Sequence, residues 1–267
     1  MTAHGNALDE AFARSRRDDR AALVPYLTGG FPRPTEYVDL AIAILEAGAD
    51  ALEIGIPFSD PLLDGPSIQQ SQHRALEAGV TPADCLEYAR DIHAHTQKPL
   101  LFMGAYNPVL AYGVAKFCAA SAEAGVSALI IPDLPFEEQS ELRVVAYDCG
   151  LHVIQLVAPT STPERLRRAC AVATGFIYCI SVSGVTGARR NVALTAQPLV
   201  ERVRRLTHVP VAVGFGIANP DTAREVAAFA DGVIVGSALI DRVGAPGNAA
   251  QAGAEFIQSL AEATSRK

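Results

Sequence analysis

The chain has 267 residues, 49% of them hydrophobic, and a formal net charge of −7 from 22 basic and 29 acidic side chains. That is enough apolar material for a sizeable core, and the acidic balance argues against a general nucleic-acid or anionic-membrane binder. No run approaches the roughly 20 apolar residues that span a bilayer. Residues 1–6 lack a basic segment followed by an apolar one, so no signal peptide and a cytoplasmic location are expected. Cys85, Cys118, Cys149, Cys170 and Cys179 are odd in number and form no CxxC, which reads as reduced thiols in packing positions with no zinc site.

A helical pattern over residues 7–17 precedes the first short apolar run, 23–27. Further runs follow at 51–54, 99–103, 128–131, 152–157, 175–180, 210–213 and 232–235. They are short, mostly β-branched and without alternating polarity, as strands buried on both faces are. Helical patterns fall between them at 37–47, 114–124, 137–149, 163–173, 196–206 and 220–230, and a last one covers 249–263. Gly48, Gly125 and Gly150 stand where helix ends call for them, and Thr162-Pro163 and Asn219-Pro220 read as helix entries. Another helical segment, 66–78, lies in the long second connection. Eight β–α units without a linker or charge block predict one domain over 1–267. Its expected fold is α/β: a (β/α)8 TIM barrel with an extra N-terminal helix and an extra helical segment after strand 2. A doubly wound open sheet would require a Gly-rich dinucleotide turn, and Gly29-Gly30-Phe31-Pro32 is not one.

Catalytic groups of a barrel gather at the C-terminal ends of its strands. Glu53 interrupts the apolar run Leu52-Glu53-Ile54 near such an end. Its neighbours face the helices and turn Glu53 inward, where desolvation raises its pKa and favours a proton donor. The plainer reading is a structural ion pair in the barrel mouth. Asp64 follows on a Pro/Gly-stiffened loop, where turn chemistry alone accounts for an Asp; Asp60 is read as turn or partner surface. Three glycine-rich segments follow strands 6, 7 and 8: Ser183-Gly184-Val185-Thr186-Gly187, Gly214-Phe215-Gly216 and Gly236-Ser237-Ala238. Glycines let backbone N–H groups approach a ligand, and the loops after strands 7 and 8 often form a phosphate site in this fold. Tight turns are the alternative. Tyr178, Tyr26 and Phe215 line a cavity, stack on an aromatic substrate or fill core. His73, His93, His95, His152 and His208 show no metal spacing, and His93 and His95 read as helix surface. Arg189-Arg190 reads as an exposed loop face.

These residues together resemble the tryptophan synthase α subunit family. The resemblance runs from about Tyr26 to the end of strand 8. It is carried by the segment Leu52-Glu53-Ile54-Gly55-Ile56-Pro57-Phe58-Ser59-Asp60-Pro61-Leu62-Leu63-Asp64-Gly65-Pro66, by Pro132-Asp133-Leu134-Pro135, and by the segments at Ser183 and Gly214. It implies retro-aldol cleavage of indole-3-glycerol phosphate to indole and glyceraldehyde 3-phosphate. Glu53 is then the general acid/base and Asp64 the partner of the indole N–H. Tyr178 packs beside the carboxyls, and Thr186 engages the aspartate loop. Gly187, Gly216, Gly236 and Ser237 match the phosphate cradle, Tyr26 and Phe215 the indole surroundings, and 187–191 a lid. The resemblance also implies an α2β2-type complex with a β subunit that holds pyridoxal phosphate, and no cofactor or metal in this chain. The interface would fall around Pro57, Phe58, Asp60 and Pro61 and the loop 107–110. Ala105 departs from the family, whose members commonly carry a bulkier aromatic residue there.

Three other functions compete. A β-independent indole-3-glycerol-phosphate lyase would use the same residues. A barrel isomerase or aldolase acting on another sugar phosphate is disfavoured by the Glu53–Asp64 pair and by the lack of a Schiff-base lysine at a strand end. A non-catalytic regulatory subunit has no need of either carboxyl.

Overall fold

The computed structural model describes residues 5–180, 192–214 and 216–266. Among them nine strand segments form one sheet: β1 (Ala22–Thr28), β2 (Leu52–Gly55), β3 (Leu100–Met103), β4 (Val126–Ile130), β5 (His152–Val153), β6 (Gln155–Val157), β7 (Ile177–Ile180), β8 (Val211–Gly214) and β9 (Gly232–Val235). Their order is β5-β4-β3-β2-β1-β9-β8-β7-β6, with parallel pairing throughout.

The strand expected over 152–157 is thus two pieces. β5 pairs with β4, and β6 pairs with β7. Between them the Ile154 N–H donates to Leu129 O at 2.9 Å. The two pieces are one tilted stave passing from one neighbour to the next, as the stagger of a closed barrel demands. Counted as staves there are eight, and the fold is the expected (β/α)8 barrel.

Side chains alternate across each strand. Val24, Ala51, Leu101, Ala128, Ile130, Ile154, Phe176, Tyr178, Ala212 and Ile234 cluster inside the barrel. Their neighbours Leu23, Leu52, Leu100, Leu129, Val153, Ile177, Val211 and Val233 belong to the layer between sheet and helices. Both faces are dry, so the alternation leaves no polar mark on the sequence.

The helices of the outer layer are α2 (Tyr37–Glu46), α3 (Pro66–Glu77), α4 (Pro82–His95), α5 (Tyr106–Tyr112), α6 (Val114–Glu123), α7 (Ser140–Asp148), α8 (Pro163–Val172), α9 (Val192–Arg204), α10 (Pro220–Ala227), α11 (Ser237–Val243) and α12 (Ala249–Ala263). Four details depart from expectation. α4, unforeseen, shares the second connection with α3 and starts at a capping box of Thr81 and Asp84 with Pro82 in its first turn. Residues 107–110 lie in helix α5, whose Tyr106 N–H donates to the Asp133 carboxylate at 3.0 Å. The helix expected over 137–149 begins at Ser140, because Glu138 N–H turns back to Pro135 O at 2.8 Å. His93 is half-buried rather than on the surface, and its ring lies where a Cβ on Gly125 would stand.

The first helix, α1 (Ala7–Arg17), closes the N-terminal end of the barrel. Its Leu8 and Phe12 join the interior cluster, and Phe12 meets Phe176 with ring centroids 5.3 Å apart. Room for Phe12 comes from Gly232, where a Cβ would come within 3.0 Å of the ring. Asn6 caps the helix and donates its amide to Ser127 O and Gly150 O, while Asp9 pairs with His152 at 2.9 Å. Phe12→Ala should lower the unfolding free energy by about 3–5 kcal/mol. A urea titration checks this, and an unchanged midpoint would mean that α1 is not part of the core.

Candidate active site

Glu53 stands level with Tyr26 on β1 and Leu101 on β3. It shares the inward side of β2 with Ala51, while Leu52 and Ile54 face the helices. Its side chain is wholly buried, and neither oxygen has a hydrogen-bond partner among the described residues. Ionising such a group would strand a charge in apolar surroundings at a cost of several kcal/mol. Burial accordingly pushes its pKa up to about 8, which keeps it a neutral acid at pH 7.

Asp64 lies in the turn that follows β2, its N–H bonded to Pro61 O at 3.1 Å. Burial raises its pKa, but Gln72 on α3 opposes the rise by donating Nε2 to Oδ2 at 2.7 Å. The two carboxyls therefore differ: one is dry and unpartnered, the other half-buried and supplied with a donor. The same loop bears Asp60, which is exposed and takes the Ser59 hydroxyl at 2.6 Å, as expected of a turn residue.

Two tyrosines join the carboxyls. Burial first, then the charges of Asp64 and Glu53, raise the Tyr26 hydroxyl pKa, against a lowering bond from Thr28. Burial, Glu53, Asp64 and Tyr26 do the same to Tyr178. Each tyrosine thus sits in the fields of both carboxyls. Glycine makes space for each ring: a Cβ on Gly55 would stand 2.1 Å from the Tyr26 oxygen, and one on Gly214 would stand 2.3 Å from the Tyr178 oxygen.

Of the expected phosphate residues, Gly236 lies next to this group, its Cβ direction 3.4 Å from Ile68 and 3.7 Å from Tyr26. Ser237 opens α11, and Gly216 adopts a φ of 82°, a value that glycine takes without strain. Thr186, Gly187, Phe215, the lid 187–191 and Arg189-Arg190 lie outside the described residues. Two polar residues of α3 enter this neighbourhood without a forecast from the sequence. Gln72 is one; Ser71 is the other, bonded to the Thr28 hydroxyl at 2.6 Å, which in turn meets the Tyr26 hydroxyl at 3.2 Å. The sequence alone carries no signal for them: with Ala75 they form the buried face of α3, and that face is set only by the placement of the helix.

Among the described residues no three His, Cys, Asp or Glu gather as a metal site, and no helix is long and apolar enough to cross a membrane. The cysteines Cys85, Cys118, Cys170 and Cys179 are buried and Cys149 half-buried, all as free thiols.

A closed parallel barrel whose mouth gathers carboxyls, tyrosines and glycine turns belongs to the class of (β/α)8-barrel enzymes. The tryptophan synthase alpha chain model matches residues 12–266. A tryptophan synthase alpha chain of Chloroflexus aggregans is 48% identical over 264 residues, spanning 98% of this chain and 99% of that one. One of Streptomyces coelicolor is 45% identical over 262 residues, 98% of this chain and 96% of its own. Among solved structures, Mycobacterium tuberculosis tryptophan synthase superposes with a TM-score of 0.92 at 37% identity, covering 99% of this chain and 100% of that one. The tryptophan synthase subunit alpha of Legionella pneumophila gives a TM-score of 0.90 at 33% identity, over 98% of this chain and 99% of that one. The chain belongs to the tryptophan synthase alpha chain family. Its reaction is a lyase cleavage of indole-3-glycerol phosphate to indole, which a β subunit uses.

The dry carboxyl carries a stability signature. Glu53 titrates at about 8 in the fold against 4.5 for the ordinary group. Between these values the folded protein keeps a proton that the unfolded chain has lost, so stability falls as pH rises through the window. Glu53→Gln cannot lose that proton. It should match the parent near the low end of the window and exceed it by a few kcal/mol at the high end, at about 1.4 kcal/mol per unit of displacement. Denaturant unfolding of both proteins across the window tests this, and parallel stability curves would refute the buried neutral carboxyl.

Proposed function

We propose that Glu53 and Asp64 carry the lyase chemistry, within one domain that holds all the groups the reaction needs. The observation behind this reading is the unpartnered Glu53 carboxyl with its pKa of about 8. As a neutral acid it gives its proton to indole C3, which turns the ring into an indolenine-like cation. The resulting carboxylate takes the proton of the glyceryl hydroxyl next to the scissile bond. The C–C bond then breaks, its electron pair returning to the ring and neutralising it, and an aldehyde forms on the phosphate-bearing fragment. One carboxyl gives a proton and recovers one, so the cycle closes without added acid.

Asp64 bears the complementary duty. An ionised carboxylate at the indole N–H stabilises the positive charge of the intermediate, and the Gln72 donor favours the ionised form. Tyr26 flanks the indole and Tyr178 packs beside the carboxyls, and the family resemblance assigns Phe215 to the indole and Thr186 to the Asp64 loop. Gly187, Gly216, Gly236 and Ser237 offer backbone and hydroxyl donors to the phosphate. Because the indole ring is itself the electron sink, acid–base groups suffice for the heterolysis. The chain works without a cofactor of its own; pyridoxal phosphate belongs to the β subunit.

The complex is of the α2β2 type and cytoplasmic. Its docking surface is the rim near Pro57, Phe58, Asp60 and Pro61 and near 107–110. Leu62 and Leu63, 88% and 62% exposed, and Leu110, 51% exposed, support an apolar contact there.

Indole release from purified protein is the direct test. Glu53→Gln should lower kcat by about 10²–10⁴-fold, the usual contribution of a general acid/base. Its substrate affinity should stay within about tenfold, or about 1.4 kcal/mol. Asp64→Asn should also lose orders of magnitude. Turnover retained by folded Glu53→Gln would refute the assignment. In the parent enzyme, kcat should decline as pH rises through about 8, where Glu53 loses its proton. Added β subunit should speed the reaction and co-purify; neither effect would leave a lyase that works alone.

A further inference from the structure

We propose that Gln72 is a positioning residue, whose carboxamide locks the catalytic loop to α3 and holds Asp64 where the indole nitrogen will lie. The proposal rests on the reading of Asp64 as a site carboxylate. Gln72 is 4% exposed, and both ends of its amide are in use. Oε1 accepts the Phe58 N–H at 3.0 Å, and Nε2 donates to Asp64 Oδ2 at 2.7 Å. Phe58 opens the loop and Asp64 closes it, so a single side chain clamps both ends.

The loop's other restraints are weaker. Leu62 N–H to Asp60 O at 2.8 Å and Asp64 N–H to Pro61 O at 3.1 Å are turns within the loop, and they do not tie it to the barrel. Gln69 donates to Pro61 O at 3.2 Å and to Asp64 O at 2.9 Å, but from an exposed side chain in competition with water. The residue before Gln72 ties the same helix turn to the other side of the site. Ser71 bonds Thr28 at 2.6 Å, and Thr28 bonds Tyr26 at 3.2 Å. One turn of α3 thus sets both a carboxylate and a tyrosine.

The chemistry demands an amide at this position. The Phe58 N–H needs an acceptor, while an ionised Asp64 needs a donor; glutamine supplies both from one planar group. Glutamate would serve Phe58 but set a second carboxylate against Asp64. Asparagine has the right groups on an arm one methylene shorter. The titratable groups that feel the Asp64 charge are Tyr26 from β1 and Tyr178 from β7, neither of which is positively charged. Among the described residues, Gln72 is the donor that favours its ionised form.

The test is indole release across pH, with thermal unfolding, for Gln72→Glu, Gln72→Asn, Asp64→Asn and the double variant Gln72→Glu/Asp64→Asn. Gln72→Glu should keep the parent's KM within a few-fold and lose kcat by about 100-fold, the scale of a misplaced catalytic group. The acid limb of its kcat–pH profile should move to higher pH, because the added carboxylate disfavours ionisation of Asp64. Gln72→Asn should recover part of the rate and return the limb toward the parent's position. In the double variant donor and acceptor trade places: the amide introduced at position 64 can donate to the carboxylate introduced at position 72. No further loss is then expected beyond that of Asp64→Asn. An unchanged kcat and pH profile in Gln72→Glu, or losses that multiply in the double variant, would overturn the positioning role. If Gln72→Glu does not fold, a parental rate and profile in Gln72→Asn overturns it equally. The two readings fail separately: full activity in Asp64→Asn removes both, whereas its inactivity beside a fully active Gln72→Glu removes only the role of Gln72.

Discussion

Parallel hydrogen bonding sets the register between Tyr26, Glu53 and Leu101, and the rest of the site hangs from it. In a closed barrel each strand has two dry faces, and period-two geometry alone decides which side chain meets which. A slip of one residue in β2 would send Glu53 into the helix layer and bring Leu52 or Ile54 inside. The apolar neighbours on both faces oppose that slip, because each has a packed place already. The hydrophobic layer outside the sheet thus orients a polar group inside it, and a carboxyl that costs stability stays on the inward side.

The two carboxyls show how one environment is divided into two. Among the described residues Glu53 is wholly buried with no donor, and its neutral form wins. Asp64 is half-buried on a loop and receives an amide hydrogen, which leaves the ionised form within reach. The difference comes from their places in the fold, a strand interior against a connection anchored to a helix. Glycines 55 and 214 complete the arrangement by leaving room for tyrosine hydroxyls that side chains of any size would displace.

Much of this is legible in the chain. The eight apolar runs mark the staves, and the lone acid in Leu52-Glu53-Ile54 marks the inward carboxyl, because a strand buried on both sides has no other place for it. The motif around Asp64 ties that acid to a family. What stays hidden depends on contacts that sequence distance conceals. The division of 152–157 at Ile154 comes from barrel stagger, which no local pattern records. α4 follows so closely on α3 that the two blur into one connection, although Thr81, Pro82 and Asp84 announce it. His93 looks like surface because its partner, Gly125, lies in another unit and is visible only as a missing side chain. Gln72 draws no attention because a glutamine in a helix is ordinary until its face is known to be buried.

The helix α1, with Phe12 set over Phe176, gives the barrel a floor. At the other end, the connections after β2 and β3 carry the exposed side chains Leu62, Leu63 and Leu110. A body seated on Leu62 and Leu63, as in the complex proposed above, bears on the loop that carries Asp64, and it does so without touching Glu53.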